Sequence, residues 1–258
     1  FSYRKEMPGP VMDKAVEIFR GQYPKRYLHS LISSQLDMDR LDYLNRDSFF
    51  SGASEGIVSH ERIIAMLDVA DGDIVFDEKG LYSVEKFVIA RRMMYWQVYL
   101  HKTVLAADVL VEGIVRRAKE LLTQGKDIPV CRGLSPEYLE RYMAVDDSDM
   151  WCVFKQWKAC DDFILSFLCD AICSRHLFSA KLSDRPLDEA EVSRIQHAIR
   201  EKYGLENDLL GYLFTERRID NHVYRPREDN IRIRLRDGGV HNITEVSEQI
   251  NFTTDKTE

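Results

Sequence analysis

The sequence predicts a mainly α fold with a small C-terminal α+β subdomain, and three observations point there. Apolar residues at helical spacing follow one another from Val11 to Leu177, the pattern of helices with a buried face. From Ser83 to about Leu122 no proline interrupts that pattern, and Gly113 is the only glycine inside it. Strict alternation appears late, at Ile231-Arg232-Ile233-Arg234-Leu235, where a period of two marks a strand.

With 258 residues, 45% of them hydrophobic and 31% charged, the chain can bury the core of one large domain or two smaller ones. A net charge of −7, from 36 Lys and Arg against 43 Asp and Glu, argues against a non-specific nucleic-acid or anionic-membrane binder. An anionic substrate would need a local basic pocket inside this acidic envelope. No apolar run approaches the roughly 20 residues of a membrane span, and Phe1-Ser2-Tyr3-Arg4-Lys5 lacks a signal peptide's apolar stretch. The five cysteines are odd in number and several lie in apolar helical surroundings, which fits reduced thiols in a cytoplasmic protein. Cys169, Cys173 and His176 have helical spacing suited to a metal. They also lie among Phe163, Ile164, Leu165, Phe167, Leu168 and Ile172, where a small thiol simply packs.

Pro8-Gly9-Pro10 opens a short helix over Val11 to Phe19, with Pro10 in its first turn. A second short helix is expected over Tyr27 to Ile32, and a helix from about Asp39. Ser48 to Gly56 reads as a loop, and Ser59 is a plausible N-cap for the helix carrying Ile63, Ile64, Met66 and Leu67. Asp73 to Asp77 with Leu81-Tyr82 suggests a small hairpin across Glu78-Lys79-Gly80. The helix expected from Ser83 carries two apolar stripes: Phe87, Met94, Val98, Leu105 and Val109, then Met93, Trp96, Leu100, Val104 and Ala107. Apolar on two sides, it reads as a central pillar buried between layers. Gly125 to Pro136 reads as a linker, and Ser135 to Met143 and Asp147 to Leu177 as helical; Asp161 and Asp162 mark a restart, a solvated bend or a metal position. Composition changes near Ser183-Asp184-Arg185-Pro186, giving expected domains of 1–183 and 184–258. The second holds a helix over Leu187 to Tyr203, a β-type run at Leu209 to Phe214 and a strand pair turning at Asp237-Gly238-Gly239. Arg232, Arg234 and Arg236 then form one exposed strand face, an edge or oligomer surface rather than a nucleic-acid patch.

One stretch stands out chemically: Leu36-Asp37-Met38-Asp39-Arg40-Leu41-Asp42-Tyr43-Leu44-Asn45-Arg46-Asp47. On a helix Asp39, Tyr43 and Asp47 form one line with Arg46 beside it, and Leu41 and Leu44 face away. Carboxylates, a phenol and a guanidinium suit a phosphorylated, sugar-bearing ligand. The same residues could equally be a solvated face laced by weak ion pairs. Further on, Arg91, Tyr95, Tyr99 and Lys102 share an edge of the long helix, and cations in so apolar a setting need a partner. Either they snorkel or pair with acids such as Asp39 or Asp47, or they face a ligand's phosphates.

The first stretch resembles the Asp-x-Asp-Arg-x-Asp-Tyr-x-x-Arg-Asp signature of the HD-superfamily phosphohydrolases, most closely the deoxynucleoside triphosphate triphosphohydrolase branch. Arg91, Tyr99, His101 and Lys102 resemble that branch's later Arg-(x)7-Tyr-x-His-Lys helix. The resemblance implies an HD-like helical domain, incomplete here, and a metal-dependent nucleotide phosphohydrolase. It implies Asp39 as ligand to a divalent metal (Mg, Mn, Fe, Ni or Zn) and as a catalytic residue with Arg40. Arg91 and Lys102 would join Arg40 on the phosphates, Tyr43 and Asp47 would grip the sugar, and Tyr99 and His101 would belong to the nucleoside and phosphate contacts. A homo-oligomer, dimer or tetramer, is implied too. The family's upstream His…His-Asp ligand set has no counterpart, since no His-Asp pair occurs and only His29 precedes the signature. The expectation is therefore the C-terminal part of a longer protein, inactive as it stands, with a metal-free relative as the competing reading. A non-catalytic nucleotide-binding regulator and an oligomerisation module remain open on the same scaffold.

Overall fold

The structure, a computed structural model, describes residues 8–129, 143–183, 185–206, 208–219 and 230–250. In chain order its principal elements are α1 (Gly9–Phe19), α2 (Arg26–Ser30), α3 (Met38–Ser51), α4 (His60–Ala65), β1 (Leu67–Ala70) and β2 (Asp73–Asp77). There follow α5 (Leu81–Met94), a π-helical turn (Tyr95–Tyr99), α6 (Lys102–Thr123), α7 (Asp147–Trp157), α8 (Phe163–Cys173) and α9 (Glu189–Tyr203). The chain closes on β3 (Arg232–Arg234), β4 (Val240–Asn242) and α10 (Ile243–Val246). The fold is mainly α with a small α+β part, as the periodicities predict.

Two compact units are present: Phe1–Tyr99 with Asp220–Glu258, and Leu100–Ile219. The division expected at residue 184 is not the one the contacts make. Its reason is β3, which pairs in parallel with β2, Phe76 opposite Ile233 and Asp77 opposite Arg234. A strand more than 150 residues downstream thereby joins the first unit, and no local pattern announces that partnership.

The first unit's core gathers Leu36, Leu41 and Leu44 from the α3 region, Val84, Phe87 and Met94 from α5, and Ile233 and Ile243 from the far end of the chain. Its sheet runs β1-β2-β3-β4. The β1–β2 hairpin lies upstream of the expected one: Asp71 and Gly72 turn it, both at positive φ (53° and 81°), as a tight two-residue hairpin requires. Glu78–Gly80 is a 3-10 turn leading into α5, not a hairpin tip. Nor is β3 an edge, because β2 and β4 flank it. Arg232 donates to Asp73 (2.9 Å), Arg234 pairs with Asp68 and Arg236 stands 3.7 Å from Glu78, so the arginine face is partnered by carboxylates of the same unit. Where a loop was expected after Asp47, α3 continues to Ser51 and stops at Gly52, whose φ of 76° supplies the left-handed cap.

The long pillar is two helices. After α5 the backbone makes the π-helical turn, leaves helical geometry at His101 (φ −63°, ψ 134°) and restarts as α6, with the His101 ring accepting from Thr103 N–H at 3.3 Å. The stripe Met93, Trp96 and Val104 is exposed, Trp96 at 55%, so the two-sided burial expected of it fails.

The second unit packs α6, α7 and α8 around Leu110, Ile114, Trp157, Leu165 and Leu168. The helix expected over Asp147 to Leu177 breaks before Phe163, and Asp162 is the restart. Its carboxylate caps α8 through Leu165 N–H (2.8 Å) and takes a forked pair of bonds from Arg117 (3.1 and 2.7 Å). Cys169 is fully buried in this core, and burial pushes its thiol up to about 12. That thiol packs. Leu209 to Phe214 is a 3-10 turn over Leu210–Tyr212 rather than a strand. The helix expected over Ser135 to Met143 lies outside the described residues except Met143, which sits in a turn, and so does the frayed end expected from Asn251. Among the described residues no helix is long and apolar enough to cross a membrane.

Candidate functional site

The site is built on the start of α3. Asp37, 1% exposed, is its N-cap: the carboxylate accepts from Arg40 N–H at 2.8 Å and Ser34 N–H at 3.2 Å, and it also ion-pairs with the Arg40 guanidinium. One side chain thus fixes both the helix terminus and a cation. One turn on, Tyr43 is half-buried. Burial raises its phenol pKa, while the positive charges of Arg91 and Arg40 pull it down.

The facing wall comes from α5 and the π-turn. Arg91 is 8% exposed, and its Nη1 donates to the Gln35 carbonyl (3.2 Å) and to Gln35 Oε1 (3.1 Å), with the guanidinium 5.9 Å from the Tyr95 ring centre. Tyr99 meets Tyr43 edge-on at 6.0 Å and Tyr95 at 5.3 Å, and its hydroxyl donates to Asp47 Oδ2 at 2.8 Å. Burial first, then that bond, raises the Tyr99 pKa far above the ordinary phenol value. The π-turn widens the helix where Tyr95 and Tyr99 must both face α3. The Nε atoms of Arg40 and Arg91 are buried and have no partner among the described residues. Buried polar groups are nearly always satisfied, so two orphaned guanidinium nitrogens in one cluster mark a place for an acceptor.

Of the residues singled out from sequence, the structure brings Arg40, Tyr43, Asp47, Arg91 and Tyr99 together. Asp39 is exposed, one helical turn before Tyr43, with no hydrogen bond or ion pair among the described residues. His101 and Lys102 open the second unit, where His101 caps α6 and Lys102 is exposed. The break before α6 takes Lys102 off the helix edge it was expected to share with Arg91. Arg46 pairs with Asp42 on the exposed side of α3 and is no part of the cluster. Sequence reasoning gave no separate role to Gln35 or Asp37. An Asp immediately before a helical pattern is a recognisable cap, whereas nothing in the sequence announces Gln35 as an acceptor for Arg91.

A cavity of about 240 Å³ lies behind the turn before α3, lined by Ser30, Ser34, Gln35, Asn230 and Arg232 among others. Only Gln35 belongs both to it and to the cluster around Arg91. As for a metal, the described residues hold no group of three or more His, Cys, Asp or Glu side chains able to bind one. Asp39 is a single carboxylate, and these residues do not make a metal centre by themselves.

The matches that follow put this mainly helical scaffold in the HD-superfamily class. Within that class, the chain belongs to the family described as the HD associated region, which matches residues 58–209 and so includes Arg91, Tyr99, His101 and Lys102. A crystallised phosphohydrolase from Bacteroides thetaiotaomicron VPI-5482 superposes with a TM-score of 0.83 at 39% identity, over 92% of this chain and 62% of that one. The uncharacterised protein YwfO of Bacillus subtilis is 33% identical over 236 residues, covering 89% of this chain and 54% of its own length. A Dictyostelium discoideum protein named as a deoxynucleoside triphosphate triphosphohydrolase SAMHD1 homolog matches at 24% identity over 101 residues, 38% of this chain and 20% of that one. The chain therefore spans roughly half to three-fifths of the first relatives it matches.

Proposed function

We propose that this chain supplies the phosphate- and sugar-gripping half of a nucleotide phosphohydrolase, of the deoxynucleoside triphosphate triphosphohydrolase kind. The observation that carries this reading is the pair of guanidinium groups, Arg40 and Arg91, each with a buried Nε that lacks a partner among the described residues. Two cations fixed in a partly dry site neutralise charge on a polyphosphate better than they could in water, because the local dielectric is lower. Tyr43 and Tyr99 offer aromatic surface to a nucleoside. Asp47, already accepting from Tyr99, keeps a second carboxylate oxygen for a sugar hydroxyl. The like charge of Asp47 would repel phosphate, which orients the ligand with its sugar at this end and its phosphates towards Arg40 and Arg91. Asp39 contributes one carboxylate at the rim. The work assigned to these residues is binding, orientation and charge neutralisation, and hydrolysis belongs to the whole protein.

Isothermal titration of inorganic tripolyphosphate into the chain tests this. Binding that weakens at least tenfold in Arg91→Ala, and falls with added salt, is the expected result. Absence of binding by the unaltered chain, or equal binding by the variant, would overturn the reading.

A further inference from the structure

Both guanidinium groups of the proposed site are tied at the same corner. Arg91 gives Nη1 to the carbonyl and side-chain oxygens of Gln35, and Arg40 gives Nη1 to the Asp37 carboxylate. The two acceptors sit two residues apart in the turn that opens α3. Each arginine keeps its Nε buried and unpartnered, and neither guanidinium has a further hydrogen bond among the described residues. A guanidinium is a flat fork whose Nε–Nη2 edge presents two parallel N–H donors, the geometry that receives two oxygens of one phosphate. Tying Nη1 holds the plane in place and leaves Nε without a protein acceptor among the described residues. An untethered arginine would have to give up rotamer freedom on each binding event.

We propose that Gln35 and Asp37 are positioning residues, the turn before α3 holding Arg91 and Arg40 by Nη1 so that each presents its Nε–Nη2 edge to phosphate. This rests on the phosphate-binding reading given above and assigns the parts of the chain that make it selective for a bidentate oxyanion. Asp37 does so with a charge and Gln35 without one. The pair therefore keeps the net charge of the two guanidinium groups at one positive rather than cancelling it. A glutamate at position 35 would anchor Arg91 as well but abolish that surplus.

The test is a double-mutant cycle on tripolyphosphate affinity, joined to the ¹⁵N-resolved Nε–H resonances of the arginines. Gln35→Met keeps the side chain's length and removes Oε1, and the cavity behind the turn gives the new side chain room. The expected result is affinity about tenfold weaker with an unchanged melting temperature, and loss of the slow-exchanging Arg91 Nε–H signal. In an Arg91→Ala background, where residual binding runs through Arg40, the same change should cost nothing further. Equal affinity in Gln35→Met and the parent, or the same loss in both backgrounds, would overturn the positioning role while leaving phosphate binding itself standing. If the parent binds no tripolyphosphate, the phosphate reading falls and this inference falls with it.

Discussion

Tyr99 shows how one residue can link stability to the site. Its hydroxyl has Asp47 as acceptor and its ring two tyrosine neighbours, and burial followed by the nearby carboxylate holds the phenol protonated well past its ordinary range. A folded-state pKa raised above the unfolded value contributes stability that is intact below about pH 10 and declines as pH rises beyond it. Tyr99→Phe should therefore flatten the alkaline limb of a urea-unfolding series above about pH 10 while lowering stability at neutral pH by about 1 kcal/mol for the lost hydrogen bond. An alkaline limb as steep as the parent's would show that Tyr99 titrates normally. That Arg40, Tyr43, Asp47, Arg91 and Tyr99 gather in one cluster was legible from spacing and from family resemblance together. Their tethers were only half so. Asp37 sits inside the signature and reads as a helix cap, but Gln35 reaches Arg91 across 56 residues of sequence, a contact that exists only once the core is folded.

At the level of elements, the break before α6 was the least legible feature, since Leu100-His101 contains neither proline nor glycine and lies within unbroken helical periodicity, whereas Asp161-Asp162 stands out as a possible restart. What starts the next helix in each case is an N-cap: His101 accepts from Thr103 N–H, and Asp162 from Leu165 N–H. Asp162 has a further partner in Arg117, whose side chain is 13% exposed against 18% for the aspartate. Burial by itself would raise the Asp162 pKa, but Arg117 and the α8 backbone donors outweigh it and the carboxyl is held low. A lowered folded-state value contributes stability present above the unfolded pKa of about 4 and lost as pH falls through the folded one. Asp162→Asn keeps an oxygen for the cap and removes the charge, so the expected change is a shallower loss of stability below about pH 4 and a lower plateau at pH 7. Parallel acid limbs in variant and parent would contradict the role of this pair. The hairpin at Asp71-Gly72 is, by contrast, signalled in sequence, since an Asp-Gly step between strand-like runs is a strong turn marker, and a stronger one than Glu78-Lys79-Gly80.

For the molecule as a whole, helical class came through because amphipathic periodicity is a local property. The division into units did not, because it depends on which distant strand pairs with β2. Each unit has its own buried cluster, one around Leu44, Phe87 and Ile233, the other around Leu110, Leu165 and Leu168. The five clustered site residues belong entirely to the first. Against a net charge of −7, the two tethered guanidinium groups concentrate positive charge in the first unit, which the proposed phosphate binding would use. The most direct measurement is a crystal structure of the chain with a non-hydrolysable deoxynucleoside triphosphate analogue. The account predicts phosphate oxygens within hydrogen-bond reach of the Nε–Nη2 edges of Arg40 and Arg91, with the sugar beside Asp47 and Tyr99. A ligand seated instead in the cavity beside Ser34, Asn230 and Arg232, with both arginine edges untouched, would contradict it.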